Sequence, residues 1–464
     1  MNITRPRPDA VLFSADLPRE HGFEPMTVEG QLPAELSGTL YRNGPGLFEL
    51  FGRRYRHPFE ADGAISAIRL REGRAEGAAR VTLSPGLREE RAAGRMLYGY
   101  SSGWLDRLRN VFQQTIKNTA NTSVMGWQGR LFALMEAARP IEIAQANLAT
   151  IGETDLQGAL GRAFSAHPHE VPARRAIYNF GVEYGKESRL ALYELPERGP
   201  VRTLTTLPLR EPVMLHDFMA TEHHLVFLVP PVRLQVARVL LGLGPFEELF
   251  RWQPELGTEV IVVPIDAPER TIRFRVGPCY QWHFGNGHER DGKLVIDLVR
   301  YPDASSLQGL ARGLDFAPGR FHRVLIDPAR QRLESREICD VSCEFPQVHP
   351  AYRGRDYRYA WLVVDKGYGL ARLDVTTGAI ERYPLAHDQY TSEAIFVPRS
   401  DQSDDECDGY LLAVVYDGAR HRSGLMVFDG ASLAAGPIAR AWFDHHIPIT
   451  FHGTWLPDSR VAPS

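Results

Sequence analysis

The sequence predicts an all-β protein, best explained as a propeller of irregular blades, from three features of the chain. Short segments rich in aliphatic and β-branched residues recur along it, and turn residues such as Asp-Gly pairs bound them. The 41 glycines and 33 prolines are spread over the whole chain, which indicates many turns rather than one linker. Radial repetition leaves few exposed strand edges, although the strand period alone also allows a large sandwich. The clearest predicted strands are Leu225–Val229, Lys293–Val299, Tyr359–Val364 and Tyr410–Tyr416.

Two stretches interrupt this β pattern. Ser102–Ala120 is compatible with a helix that carries one apolar face. Val232–Trp252 combines an apolar ridge with arginines, which fits either an internal core helix or a segment that dips into a membrane surface without crossing it. The face of the first stretch comprises Trp104, Leu105, Leu108, Val111, Phe112 and Ile116, and the ridge of the second comprises Val236, Val239, Leu240, Leu241 and Leu243 beside Arg233, Arg238 and Arg251.

Length and composition favour one large globular domain. We expect residues 1–464 to form a single domain, because closed all-β architectures can run long and 44% of the residues are hydrophobic. The net charge of −4 and the absence of a basic stripe argue against a nucleic-acid partner. Four cysteines are too few for a disulfide framework. Met1–Phe13 lacks the apolar core of a signal peptide and no apolar run is long enough to span a bilayer, so a cytoplasmic protein is expected.

Four of the 16 histidines stand in contexts that suit a metal site. His167 precedes a proline, which holds its backbone extended. His216 lies in an apolar frame, whereas His283 and His452 lie among aromatic residues. Each comes from a different stretch of the chain, which excludes a compact zinc finger but fits a site on the axis of a radial fold. Imidazole ligands suit iron, zinc or copper.

Three glutamates are candidates for anchoring these imidazoles. A metal-bound imidazole needs its second nitrogen held, often by a carboxylate. Glu136, Glu344 and Glu393 each lie in an apolar run, where a carboxylate is costly unless it is paired. From the residues alone, ordinary ion pairs to arginines are the alternative explanation for these glutamates.

These motifs, in this order, give the chain a resemblance to the carotenoid cleavage oxygenase family over nearly its full length. Leu40–Gly46 (LYRNGPG) and His57–Gly63 (HPFEADG) are similar to the first family motifs, and Asn121–Val124 with Leu134–Glu136 to the next. The four histidine segments (AHP, HDF, WHFGN and FHGTW) resemble the metal-ligand motifs. EFPQ, SEAIFVPR and DGYLLAVVYD resemble the remaining blocks.

The resemblance implies a seven-bladed propeller with a helical and loop cap over a metal axis. It implies Fe(II) bound by His167, His216, His283 and His452, with no carboxylate ligand and no organic cofactor. By the same resemblance Glu136, Glu344 and Glu393 hold His216, His283 and His452 respectively, so His167 has no carboxylate anchor. The implied reaction is non-haem dioxygenase cleavage of an alkene by O2, which gives two carbonyl products.

The resemblance also implies an apolar substrate tunnel, with Tyr100, Met135, Phe164 and Phe284 as lining residues. Its mouth would be Val232–Trp252, which would contact a membrane peripherally. Met135 stands where family members that cleave phenolic stilbenes have a lysine, and a methionine cannot stabilise a phenolate. A carotenoid or apocarotenoid is therefore the expected substrate. The alternatives are cleavage of a stilbene or phenylpropenoid, a non-oxidative isomerase, and a non-catalytic propeller scaffold.

Overall fold

Seven antiparallel sheets form a seven-bladed β-propeller, as the sequence predicts. The computed structural model describes residues 8–458, apart from 114, 186, 242–243, 313–315, 401–402 and 404. The innermost strand is His452–Pro457 in blade 1 and the first strand in each other blade, and these strands surround the axis. Contacts between them link blades 3 to 7 in turn, then blade 7 to blade 1 and blade 1 to blade 2. Blade 1 contains His21–Pro25, Gly38–Leu47, Asp62–Arg71, Arg74–Val81 and His452–Pro457; blade 2, Ser123–Trp127, Arg130–Leu134, Ile141–Ile143 and Thr150–Glu153; blade 3, His169–Val171, Ala176–Glu183, Ser188–Pro196 and Arg202–Leu209; blade 4, Met219–Ala220, His224–Val229, Thr258–Pro264 and Ile272–Val276. Blade 5 contains Tyr280–Arg290, Lys293–Tyr301, Arg320–Asp327 and Arg332–Cys339; blade 6, Cys343–Val348, Tyr359–Val364, Gly369–Asp374 and Ile380–Pro384; blade 7, Gln389–Pro398, Gly409–Asp417, Arg422–Asp429, Pro437–Trp442 and Thr27–Gly30.

The middle strands of the blades are continuous hydrophobic runs because both of their faces are buried. In Gly409–Asp417 alternate side chains point to opposite faces of the sheet. Tyr410 and Leu412 pack in the layer shared with blade 1, whereas Leu411 and Ala413 pack in the layer shared with blade 6. This arrangement explains why no hydrophobic alternation is visible in the strands that the sequence identifies most clearly.

Both ends of the chain close the ring. The C-terminal strand His452–Pro457 pairs antiparallel with Gly38–Leu47 near the start of the chain, placing His452 opposite Asn43. Thr27–Gly30, the second strand of the chain, pairs with the fourth strand of blade 7. The first and last blades are therefore each built from both ends of the sequence.

Helices and short hairpins lie outside the seven sheets. Within Ser102–Ala120 the helix covers only Trp104–Gln113. Val232–Trp252 is not one helix: Val232–Leu234 pairs with Phe250–Trp252, and a short helix lies between them, because the strand pairing ties the two ends together. Leu243 falls outside the described residues. The remaining strands are Glu49–Leu50 and Arg53–Arg54; the α-helices are Pro8–Leu12, Pro85–Ala93, Trp104–Gln113, Val236–Leu240 and Ser305–Arg312; the 3-10 helices are Pro58–Glu60, Pro172–Arg174, Phe246–Glu248, Pro254–Leu256, Pro268–Arg270, Pro350–Tyr352, Asp365–Gly367 and Leu433–Ala435.

A search of the described helices for a membrane span finds none that is both long and apolar enough.

Candidate metal centre

The four predicted histidines meet at one end of the propeller axis. His167 and His216 lie in the loops that lead into the first strands of blades 3 and 4. His283 lies within the first strand of blade 5, and His452 begins the C-terminal strand of blade 1. Because the innermost strands surround the axis, four residues that are remote in sequence become neighbours in space.

The imidazole rings are close enough to share one ion. The ring centroid of His167 lies 4.2 Å from that of His216 and 4.8 Å from that of His452. The centroids of His283 and His452 are also 4.8 Å apart. One ring nitrogen each of His167, His283 and His452 lies within 4.8 Å of the others. The site is thus compact and built from imidazole donors.

Two further observations fit nitrogen atoms that face a metal. The Nε2 atoms of His216 and His283 face each other at 3.3 Å. Within the described residues, Nε2 of His167 is buried and has no hydrogen-bond partner. Buried polar atoms are nearly always satisfied, so an unsatisfied buried nitrogen calls for a ligand.

Carboxylates contact three of the four imidazoles, in the pairing that the sequence predicts. Nδ1 of His283 lies 2.5 Å from Glu344 Oε2, and Nδ1 of His452 lies 3.0 Å from Glu393 Oε1. Nδ1 of His216 forms an ion-pair contact with Glu136. Such contacts fix an Nδ1–H tautomer, which leaves Nε2 free to bind a metal.

His167 differs from the other three histidines. Across the part of the chain that the structure describes, His167 makes no hydrogen bond or ion pair with a carboxylate. Burial, together with the neighbouring imidazoles of His216, His452 and His283, lowers the pKa of His167 well below its ordinary value. A neutral imidazole is the form that binds a metal.

Glu393 has four hydrogen-bond donors and Glu344 has three. Besides His452, Glu393 accepts hydrogen bonds from Arg42 (2.7 Å), Gln347 (2.9 Å) and the Gly453 backbone N–H (2.9 Å). Burial alone would raise the pKa of Glu393, but His452 and Arg42 lower it to about 2. This carboxylate is therefore ionised and fully satisfied.

Besides His283, Glu344 has two donors, and both are neutral. The Tyr301 hydroxyl donates to Oε1 (2.6 Å) and the Phe345 N–H donates to Oε2 (2.9 Å). Burial tends to lower the pKa of His283, but the uncompensated charge of Glu344 outweighs it and raises the pKa above its ordinary value. Glu344 and Glu393 thus differ in whether a buried cation balances their charge.

Aromatic rings lead away from the imidazoles. The ring centroid of His216 lies 4.6 Å from that of Trp282, and the centroid of Trp282 lies 6.1 Å from that of Phe59. Phe59 in turn contacts Phe246, at 5.9 Å, in the insertion between Val232 and Trp252. An apolar, aromatic path therefore connects the candidate centre with this insertion.

Phe345 provides a ring directly beside two of the candidate ligands. Its backbone is left-handed (φ 52°), at a β-bulge in the first strand of blade 6. Its ring lies 4.9 Å from the ring of His283 and 5.3 Å from that of His452. A left-handed conformation is unfavourable for a bulky residue, so the surrounding structure stabilises this orientation of the ring.

Two of the four predicted tunnel residues are wrongly assigned. Phe164 is fully buried in the layer that contains Leu134 and Tyr193, and Phe284 in the layer that contains Met219 and Leu298. Each ring sits between neighbouring blades. Phe284 directly follows His283 in a strand, and successive side chains of a strand point to opposite faces. Neither belongs to the aromatic group beside the imidazoles.

The other two predicted tunnel residues are not enclosed in an inter-blade layer. Met135 is partly buried and directly precedes Glu136. The Tyr100 ring is partly buried and lies under the guanidinium groups of Arg56 (4.8 Å) and Arg107 (5.3 Å). Their roles as lining residues remain predictions.

Three residues that support the candidate ligands were missed by sequence reasoning. These are Arg42, Asp217 and Tyr301. Arg42 lies within LYRNGPG and Asp217 within HDF, so both stand in recognised segments, but their partners are far away in the chain. The sequence signal that could have identified Arg42 and Asp217 is a charged residue within a largely uncharged motif.

Comparison with known proteins places this geometry in a family. A model of the RPE65 family (retinal pigment epithelial membrane protein) matches residues 15–457. An apocarotenoid-15,15'-oxygenase from Synechocystis sp. is 34% identical over 94% of this chain and 94% of its own. A lignostilbene-alpha,beta-dioxygenase isozyme III from Sphingomonas paucimobilis is 28% identical, over 94% of both chains. The crystal structure of cobalt-substituted Synechocystis ACO has a TM-score of 0.88 at 32% identity and covers 97% of this chain and 98% of its own.

Proposed function

Since the chain belongs to the RPE65 family, the carotenoid cleavage oxygenases, we propose that it is a non-haem Fe(II) dioxygenase that cleaves a double bond of a carotenoid or apocarotenoid. The chain is an oxygenase. The single observation that carries the iron centre is the convergence of four buried or nearly buried imidazoles, three of them held by carboxylates. Iron, when bound, supplies the activation of O2 next to the alkene.

His167, His216, His283 and His452 would hold the metal. Four neutral imidazoles leave a divalent ion its full charge, and they suit iron. The carboxylates keep the Nδ1 protons on their imidazoles, so that each Nε2 remains a donor to the metal. The carboxylates thereby orient the imidazoles before the ion binds.

The proposed substrate is an apolar polyene. The aromatic path from Trp282 through Phe59 to Phe246 provides apolar surface. Met135, next to Glu136, offers no cation to a phenolate. The relative that is 34% identical is named for apocarotenoid cleavage, and the lignostilbene dioxygenase is the more distant of the two. Stilbene cleavage is therefore the alternative outcome of the substrate assay.

We also propose that Ser102–Ala120 and Val232–Trp252 form the cap and rest on a membrane surface. Their helices contact each other. Leu105 and Phe112 are 73% and 91% exposed, which is unusual for large apolar side chains. An apolar surface flanked by arginines fits the lipid–water interface, where an apolar substrate would be found. The other exposed apolar side chains of this surface are Trp104, Ile116, Val236 and Leu241.

Metal analysis tests the proposed centre. We expect about one iron per chain after anaerobic reconstitution, its loss in His283→Ala, and its retention in His322→Ala. His322 is a matched control, because it is also on blade 5 but hydrogen bonds to Ser335 away from the centre. Iron-loaded protein is then incubated under O2 with carotenoids, apocarotenals and stilbenes. Absence of iron, or no bleaching and no aldehyde from any substrate, would overturn the proposal and favour the scaffold.

Sedimentation with neutral phosphatidylcholine vesicles tests membrane contact. The double variant Leu105→Ser, Phe112→Ser should bind at least about tenfold more weakly, since each lost apolar side chain contributes about 1.5–3 kcal/mol when fully buried. Ile151→Ser is the control, because Ile151 is 59% exposed but lies on blade 2. If the wild type, the double variant and Ile151→Ser bind the vesicles equally, the proposed surface is refuted.

A further inference from the structure

Asp217 has a buried carboxylate that the proposed chemistry leaves unused. The residue is 4% exposed. Its Oδ1 accepts a hydrogen bond from the Phe218 N–H and lies 2.8 Å from Nε2 of His169. Its Oδ2 accepts a hydrogen bond of 2.8 Å from the Phe284 N–H. Three donors on three segments therefore converge on one side chain.

Each of these segments carries a candidate metal ligand. The segment His167–His169 leads into blade 3, His216–Phe218 leads into blade 4, and His283–Phe284 lies in blade 5. Each contact to Asp217 is one or two residues from the imidazole of its segment. Asp217 is thus the side chain that joins three of the four ligand segments.

We propose that Asp217 is a positioning residue that holds three imidazoles in the mutual arrangement a metal needs; the inference rests on the proposed metal centre. Its contact with His169 matters most for His167, the candidate ligand without a carboxylate of its own. Pro168 between the two histidines has a fixed φ, so the position of His169 restricts that of His167. Asp217 supplies to this segment the anchoring that glutamates supply to the other imidazoles.

The chemistry of the contacts requires a carboxylate rather than an amide. All three partners are donors, and an ionised carboxylate is a pure acceptor. In Asp217→Asn, the amide NH2 would face at least one of these donors, and a buried donor would lose its partner. An unsatisfied buried donor is destabilising, so the segment that carries it would shift to find another partner.

Asp297 offers a matched control. It is 1% exposed and also accepts three hydrogen bonds, two from Arg323 (2.8 and 2.7 Å) and one from the Tyr357 hydroxyl (2.6 Å). It lies on the second strand of blade 5, and its partners belong to no ligand segment. Asp297→Asn should therefore reduce folding stability without affecting metal binding.

The test uses Co(II) as the probe in the full-length protein. Chelator competition measures affinity, visible absorption reports the ligand geometry, and thermal melting of the metal-free protein reports stability. We expect Asp217→Asn to bind Co(II) about 10–100-fold more weakly and to change the absorption band. Asp297→Asn should keep the wild-type affinity and spectrum even where its melting temperature falls equally.

A second variant covers the case in which Asp217→Asn does not fold. His169→Phe removes one donor but retains a ring and both backbone contacts, and we expect a loss in Co(II) affinity of about fivefold with a shifted spectrum. Wild-type affinity and spectrum in the folded Asp217 or His169 variant would overturn the inference, as would a loss in Asp297→Asn as large as in Asp217→Asn. A wild-type protein that binds no Co(II) would overturn the metal centre itself, and the inference with it.

Discussion

Replacement of Arg42 by methionine should destabilise the metal-free protein by about 3–5 kcal/mol, because it leaves the Glu393 charge buried without a cation. Arg42 is 1% exposed, and its guanidinium lies 2.7 Å from Glu393. It also donates to Ser392 Oγ and to the Phe451 carbonyl, both at 3.0 Å. The variant removes the cation and leaves the Phe451 carbonyl without this donor, whereas Ser392 Oγ keeps its hydrogen bond with Thr450 Oγ1.

The magnitude follows from what the buried carboxylate can do instead. At pH 7 Glu393 can escape burial as an anion by taking up a proton, and from its ordinary value of 4.5 this costs about 3.4 kcal/mol. This cost sets the order of magnitude of the ionic part of the loss. The unsatisfied Phe451 carbonyl adds roughly 1 kcal/mol or more, which brings the total into the stated range.

A double-mutant cycle in urea at pH 7, with chelator present, isolates the pair. Glu393→Gln alone leaves Arg42 unpaired and should cost a similar amount, so the double variant should be more stable than the sum of the singles by at least about 2 kcal/mol. Arg69→Met is the control: Arg69 meets Glu76 at 3.5 Å on the surface and should contribute less than about 1 kcal/mol. Additivity of Arg42→Met and Glu393→Gln within about 0.5 kcal/mol would refute the reasoning.

Two further predictions concern stability. Burial lowers the pKa of His57 from 6.5 to about 4, so the unfolded chain binds the proton more readily and stability should fall by roughly 3 kcal/mol between pH 6.5 and 4. His57→Asn, which keeps an acceptor at the helix N-cap, should flatten this dependence in urea titrations, and an unchanged slope would contradict it. Gly181→Ala would place a Cβ 2.0 Å from the Ala163 carbonyl oxygen and should cost about 2–3 kcal/mol, whereas Gly152→Ala, with nothing within 4 Å, should not. Equal thermal melting of the two glycine variants would contradict this prediction.

Local patterns predicted the strands well, because each is determined by its own residues. All four of the clearest predicted strands lie within observed ones, such as Lys293–Val299 within Lys293–Tyr301. The secondary structure of the insertion Val232–Trp252 was harder to predict, because it depends on strand pairing between the two ends of the insertion. Similarly, the spacing of Leu105 and Phe112 predicts an apolar helix face but cannot say whether that face meets core or solvent.

The candidate ligands could be recognised because each histidine stands in a distinctive local motif. The residues that hold them could not, since their roles depend on partners elsewhere. Arg42 and Glu393 are 351 positions apart, and Tyr301 and Glu344 are 43 apart. Asp217 belongs to a recognised motif, but the Phe284 N–H that donates to its Oδ2 is 67 positions away. Only the closed fold defines which of the many charged residues become such partners.

Closure of the ring and assembly of the candidate metal centre are the same structural event. His452 begins the strand that pairs with Gly38–Leu47, and Arg42 in that partner strand holds the glutamate that contacts His452. A chain with an open ring therefore lacks one candidate ligand and the support of its carboxylate. A ligand that binds only the closed form stabilises it in proportion to the logarithm of its concentration over its dissociation constant. We therefore expect bound metal to protect the C-terminal strand His452–Pro457 from local opening. The stability of its pairing with Gly38–Leu47 should then increase when metal occupies the candidate centre.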